Sequence, residues 1–181
     1  GLKNKMLDYQ PGQGGKMPKW MRKNPERLEF LRSLSMEEIE FLEATPTIIE
    51  FEDLNLVAVH AGFKPGIPIS EQEENTKMHI RFLYDKNLPA YLDKENDYSQ
   101  PKDSFFWAEK FEEPVNVVYG HHVWDLKDIK THQTKSGHMC YGIDTGACFG
   151  GRLSGLMFFS DGSTELLQVD SKKKNKNSKN R

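Results

Sequence analysis

The layout that decides the fold occurs twice, as LNLVAVHAG at residues 54–62 and as VNVVYGHH at residues 115–122. In both stretches a run rich in β-branched residues predicts a buried strand, and the strand leads into a histidine close to a glycine. A histidine at a strand end is held rigidly, which suits a metal ligand because Zn–N distances are restricted to about 2.0–2.1 Å. The alternative is that His60 and His121 each make a structural hydrogen bond. The layout predicts an α/β layered fold with a site at the strand ends.

The composition favours a soluble protein without a strongly charged partner. The 181 residues carry a formal net charge of −2 and a pI near 6.3, so no global field points to nucleic acid or membrane. Two cysteines argue against a disulfide scaffold. No apolar run approaches the roughly 20 residues that cross a bilayer, and the first residues lack the apolar core of a signal peptide. We expect a cytoplasmic protein with no membrane partner.

The chain divides into three parts by composition. Residues 1–23 are rich in Gly, Lys, Gln and Pro and predict a flexible N-terminal segment. Residues 24–170 carry the periodic apolar patterns of a folded domain, including a helix start at Ser35, where Glu38 completes a capping box. Residues 171–181 are Lys-rich and predict a disordered basic tail, the one feature that could attract nucleic acid or polyphosphate.

Strands dominate the predicted domain after a helix that stops before Pro46. A turn at residues 52–53 separates the first two strands, and a turn at Asp161-Gly162 separates the last two. The polar stretch 85–103 predicts a long excursion or lid. The strands are predicted at residues 47–51, 54–60, 115–119, 139–143, 153–160 and 165–169.

Residues 142–156, GIDTGACFGGRLSGL, closely resemble a signature of the Ser/Thr-phosphatase branch of calcineurin-like metallophosphoesterases. Bacterial symmetrical diadenosine tetraphosphatases and fungal zinc-dependent endopolyphosphatases carry that signature. The resemblance implies the C-terminal part of a four-layer β-sandwich flanked by helices. Other stretches fall in the family's order: LVAVHAG at 56–62, HIRFL at 79–83, WA at 107–108 and VVYGH at 117–121.

The resemblance implies a dinuclear site in which two divalent metal ions, Mn, Zn or Fe, activate a bridging water or hydroxide. In that family the histidines matching His60 and His121 both bind one metal. The arginine matching Arg81 would orient the phosphate through a bidentate contact, and the alternative for Arg81 is a helix-surface residue. The implied substrates are phosphoanhydrides or phosphomonoesters: dinucleoside polyphosphates, polyphosphate or phosphoproteins.

Three motifs of the family are missing from these residues: Gly-Asp-x-His, Gly-Asp-x-x-Asp-Arg-Gly and Gly-Asn-His followed by an acid. They supply the remaining metal ligands, so the site in this chain is incomplete and the chain alone is expected to be inactive. We expect a fragment of a metal-dependent phosphoesterase. The alternative is a metal-free pseudophosphatase or binding module, and the coding sequence upstream of residue 1 would separate the two.

The remaining candidates carry weaker expectations. His122 follows a predicted ligand and is expected either to support it or to face the other way. Asp144 is expected to brace its loop by accepting a hydrogen bond. His79, His132 and His138 lie in polar stretches, where a surface position is expected.

Overall fold

The computed structural model describes residues 29–30, 33–90 and 99–172. The predicted flexible segment 1–23 and most of the predicted tail 171–181 lie outside the described residues, as does most of the helix expected after Asn24. The described residues up to Pro46 and those from Thr47 onward belong to two separate compact units.

The first unit contains helix α1 (Met36–Ala44). Its start matches the predicted capping box: the Glu38 N–H donates to the Ser35 hydroxyl at 3.2 Å, and the Ser35 N–H donates to the Glu38 carboxylate at 2.7 Å. These bonds satisfy two amide groups that the first helical turn leaves without partners. The helix ends before Thr45-Pro46, as predicted.

The second unit is built on a five-stranded mixed sheet with the order β1-β2-β6-β8-β7. Strands β2, β6 and β8 are parallel neighbours at its centre, whereas β1 and β7 pair antiparallel at its two edges. The expected turn between the first two strands is a short 3₁₀ segment. The five strands are β1 (Ile48–Phe51), β2 (Leu56–Val59), β6 (Asn116–Tyr119), β7 (Lys130–Gln133) and β8 (Met139–Gly142).

Two smaller sheets and one short helix complete the described part of the unit. Strands β3 (Phe82–Tyr84), β4 (Leu88–Ala90) and β5 (Phe105–Phe106) form a three-stranded sheet in the order β4-β3-β5. Helix α2 (Glu74–His79) precedes them. Within the expected excursion or lid at residues 85–103, residues 88–90 form a strand, because β4 pairs with β3 along its whole length.

The last sheet is the predicted hairpin, β9 (Arg152–Phe158) and β10 (Thr164–Asp170). Its register places Leu153 opposite Val169 and Gly155 opposite Leu167, so these residues share one face with Met157. The four larger side chains are exposed, and no described residue covers this apolar face. Such a face usually packs on another layer of structure.

The core lies on the parallel centre of the large sheet. Val59, Val117 and Cys140 are buried there, and aromatic side chains from the β3–β5 region pack against them, including Phe106 and the fully buried Trp107. Burial of this apolar surface fixes the three parallel strands beside one another, so the residues just past their carboxyl ends are held beside one another too. No helix in the described ranges is long and apolar enough to cross a membrane.

Candidate metal centre

The carboxyl ends of the three central parallel strands lie on the same side of the sheet. Backbone hydrogen bonds continue past the strand ends: the His60 carbonyl accepts the Gly120 N–H at 2.9 Å, and the Tyr119 carbonyl accepts the Ile143 N–H at 2.9 Å. The residues directly after β2, β6 and β8 therefore lie side by side, which brings together His60, His121 and Asp144.

The His60 and His121 rings meet on this side of the sheet. Their facing nitrogens, Nε2 of His60 and Nδ1 of His121, are 3.1 Å apart, and the ring centroids are 4.9 Å apart. Two nitrogens that share one tetrahedral cation at about 2.0–2.1 Å stand roughly 3.3–3.4 Å from each other. The observed 3.1 Å suits one shared cation, and it is equally a hydrogen-bond distance between the two rings, so the structural alternative stands beside the metal-ligand prediction.

His121 reaches this position through an unfavourable backbone conformation. Its φ angle is +68°, in the left-handed region that only a few per cent of non-glycine residues adopt, although Asn, Asp and His do so more often than the rest. Such a conformation costs on the order of 1–3 kcal/mol, and it is found most often at functional sites. Gly120, which precedes it, lies directly beside Asp144: a Cβ added at Gly120 would make an ordinary van der Waals contact with the Asp144 Cβ, 3.7 Å away.

The surroundings of His121 favour its neutral form. Its pKa is lowered to about 4, mainly by burial and in addition by the charges of Arg81, His60 and His79, while Asp144 acts in the opposite direction. A neutral imidazole keeps the lone pair that a cation requires. Burial likewise lowers the pKa of His122 to about 4, with contributions from Arg81 and His121.

Arg81 lies within electrostatic reach of both neighbouring histidines. Its charge acts on the pKa of His121 and of His122, and its backbone carbonyl accepts the Trp107 N–H at 3.1 Å, which fixes the chain between α2 and β3. The side chain is half-buried. The structure therefore brings Arg81 to the histidine pair, and its phosphate-binding role stays a prediction.

His79 is exposed, as expected for a polar stretch, and its ring lies next to that of His121. Its ring centroid is 6.1 Å from that of His121, and the two rings are edge to face. Residue order alone gave no signal for this approach, because it depends on how the end of α2 is held against the loop after His60: the Lys77 carbonyl accepts the Ala61 N–H at 2.8 Å.

Four other candidates occupy structural positions. Asp144 braces its loop as expected, because its Oδ1 accepts the Gly146 N–H at 3.0 Å. His122 is buried against aromatic rings, with its centroid 4.5 Å from that of Trp124. His132 lies on β7, the outermost strand of the large sheet. His138 precedes the amino end of β8, whereas His121 lies past the carboxyl end of β6, so the two histidines are at opposite ends of the parallel strands.

The described residues do not supply the donors of a dinuclear centre. Across residues 29–30, 33–90 and 99–172, no group of three His, Cys, Asp or Glu side chains is arranged to hold a metal ion. The two facing imidazoles are the donors that the sequence-based prediction assigns to one shared cation. A dinuclear centre would need donors in addition to these.

The mixed α/β fold, with several sheets, few helices and histidines at parallel strand ends, is metallophosphoesterase-like. The fold matches a solved structure described as "Crystal structure of a putative diadenosine tetraphosphatase", with a TM-score of 0.59 and 25% sequence identity. The match covers 84% of this chain and 63% of the other, so the chain spans less than two thirds of that protein. No protein-family model and no curated protein matches the sequence.

Proposed function

We propose that this chain forms part of a metal-dependent phosphoesterase that hydrolyses phosphoanhydride or phosphomonoester bonds. The observation that carries the proposal is the 3.1 Å approach of His60 Nε2 to His121 Nδ1 at the ends of two parallel strands. The structural likeness to a protein described as a diadenosine tetraphosphatase supports the same class of reaction. In this proposal the apolar face of the β9–β10 hairpin packs within a layered β-sandwich.

Each side chain of the site has an assigned task. His60 and His121 hold one divalent cation, Mn, Zn or Fe, through their facing nitrogens. Arg81 binds non-bridging phosphate oxygens through its fork of N–H donors, which match two oxygens at once. Asp144 holds the loop after β8 in place beside them. When bound, a divalent cation supplies positive charge that offsets the charge developing on the phosphate oxygens.

The substrate is a phosphorylated compound that reaches an open site. His60 is exposed, and the net charge of −2 provides no long-range attraction for a polyanion. Recognition must then come from local cationic groups such as Arg81. Dinucleoside polyphosphates are the substrates we favour, because of the structural match, and polyphosphate and phosphoproteins share the chemistry. A second cation would require ligands beyond the donor set of these residues.

Zinc binding tests the site directly, without requiring turnover. Isothermal titration of the purified chain is expected to show at most one equivalent of Zn²⁺. His60→Ala and His121→Ala should each weaken binding by about ten-fold or more, since each removes a directly bound ligand. His132→Ala on β7 is the matched control and should bind as the wild type does. Full zinc affinity in both site variants would refute the assignment.

Hydrolysis is tested on the protein encoded by the complete gene. Supplied with Mn²⁺, it is expected to hydrolyse diadenosine tetraphosphate, and His60→Ala is expected to lower kcat by orders of magnitude. Zinc binding that depends on the pair, together with no hydrolysis of any phosphate ester by that protein, would instead favour a binding module.

A further inference from the structure

His79 has a fixed ring orientation. Its Nδ1 lies 3.1 Å from the Asn75 carbonyl oxygen, one turn back in α2. A carbonyl oxygen only accepts hydrogen bonds, so Nδ1 carries the proton and donates. Nε2 lies on the opposite side of the ring, directed away from the helix backbone.

The end of α2 is attached to the histidine pair through the backbone. The Lys77 carbonyl accepts the Ala61 N–H at 2.8 Å, and Ala61 directly follows His60. The His79 ring centroid is 6.1 Å from that of His121, and the charge of Arg81 also acts on the pKa of His121. An imidazole and a guanidinium are therefore held next to His121, and the His79 side chain is open to solvent.

We propose that His79 is a phosphate-binding residue of this site, whose Nε2 makes a hydrogen bond to a phosphate oxygen beside the one that Arg81 binds. The proposal rests on the phosphoesterase function proposed above. A hydrogen phosphate ion offers both an O–H donor and acceptor oxygens, so one bond to Nε2 forms whichever partner carries the proton. Together the two side chains would fix the orientation of the phosphate relative to the histidine pair.

The geometry separates this role from that of a cation ligand. The His79 and His121 centroids are 6.1 Å apart, compared with 4.9 Å for His60 and His121. No three metal-binding side chains come together among the described residues. His79 is thus placed to contact a ligand of the site and not to complete the cation's coordination.

The test measures phosphate and zinc affinity separately on the purified chain. Inorganic phosphate is titrated calorimetrically with one equivalent of Zn²⁺ present, and zinc is titrated alone. His79→Leu is expected to weaken phosphate binding by about ten- to hundred-fold, the loss expected for one hydrogen bond to a charged group, and to leave zinc affinity unchanged. His79→Gln, whose amide approaches the position of Nε2, is expected to stay within about three-fold of the wild type.

His132→Leu is the control for removing a histidine elsewhere on the sheet, and it is expected to change neither affinity. Because the His79 side chain is exposed, His79→Leu should also unfold at the wild-type temperature. The proposal is overturned if His79→Leu binds phosphate as the wild type does, if His79→Gln binds no better than His79→Leu, or if the wild type binds no phosphate. A loss of zinc affinity in His79→Leu as large as in His60→Ala would overturn it too. The zinc titrations of His60→Ala and His121→Ala test the proposed function independently of these outcomes.

Discussion

Gly62, two residues after His60, is a position where adding a single methyl group should strongly lower the free energy of unfolding. Its φ is +150°, and a Cβ built there would be 2.2 Å from Cε2 and 2.3 Å from Nε1 of Trp107. Trp107 is fully buried and in contact with other rings of the core, so it cannot move aside cheaply. Overpacking costs about 1–3 kcal/mol, and a φ of +150°, which lies outside the left-handed helical region and is rarely adopted by residues with a Cβ, costs about 1–3 kcal/mol more. Gly62→Ala should therefore lower the free energy of unfolding by about 2–6 kcal/mol.

Two other glycines serve as controls that separate the cost of the contact with Trp107 from the cost of a positive φ. Gly66 has a φ of +76° with nothing within 4 Å of an added Cβ, and Gly155 has open space and no positive φ. Gly66→Ala should cost about 1–2 kcal/mol, and Gly155→Ala should be close to neutral. Urea unfolding monitored by tryptophan fluorescence measures all three variants. Equal losses for Gly62→Ala and Gly66→Ala would refute the close contact with Trp107.

A double-mutant cycle tests whether Trp107 is the side chain that the new methyl group at position 62 contacts. Trp107→Phe removes the indole atoms that the new methyl group would meet, so the two substitutions should be less costly together than the sum of their separate effects, by about 1 kcal/mol or more. Additive losses would show that the strain arises elsewhere. Because Gly62 follows the His60 loop so closely, zinc affinity should fall in Gly62→Ala and not in Gly155→Ala.

Three further outcomes test the core and the loop after β8. Cys148 is exposed and Cys140 is buried, so Ellman's reagent should modify one thiol in the folded protein and two in guanidinium; two in the native state would refute the burial. Burial raises the pKa of Cys140 from an ordinary 9.0 to about 12. Its contribution to stability is therefore complete below pH 9 and is lost as the pH rises from 9 toward 12, because only the unfolded chain ionises. Between pH 8 and 10 this loss is about 1 kcal/mol, and Cys140→Ala should lack it. Thr145→Val should cost about 1–3 kcal/mol in urea unfolding, because the buried hydroxyl donates to the Arg152 carbonyl at 2.6 Å, and exposed Thr164→Val is the control.

The sequence predicted those strands, caps and turns whose local residue pattern matches their burial in the fold. The hydrophobic strands preceding His60 and His121 were predicted because a buried parallel strand needs a continuous apolar run. The capping box at Ser35 and the turn at Asp161-Gly162 are short-range signals, which the chain displays without help from distant residues. Residue order placed each histidine just past a strand, while the approach of the two at one end of the sheet was implied by the family resemblance and depends on the parallel pairing of β2 with β6.

Elements held by tertiary contacts were missed for a physical reason. Helix α2 was not predicted, because its six residues are too few to form a stable helix alone. The Ala61–Lys77 backbone bond contributes to holding it in place. Strand β4 contains Pro89 and lies at a sheet edge, where proline is tolerated but gives no strand signal. The polar strand β7 is an edge strand as well, so its sequence shows no apolar period.

Because His121 has a left-handed backbone conformation, the residue that gives the highest thermal stability at position 121 should differ from the residue that retains a metal ion there. Selection for thermal resistance alone should replace this histidine with glycine or asparagine, because both adopt a φ of +68° at lower cost. Selection for metal retention should keep histidine in spite of that cost. A saturation library at position 121, sorted separately by heat challenge and by zinc retention, should therefore divide into two non-overlapping sets of survivors.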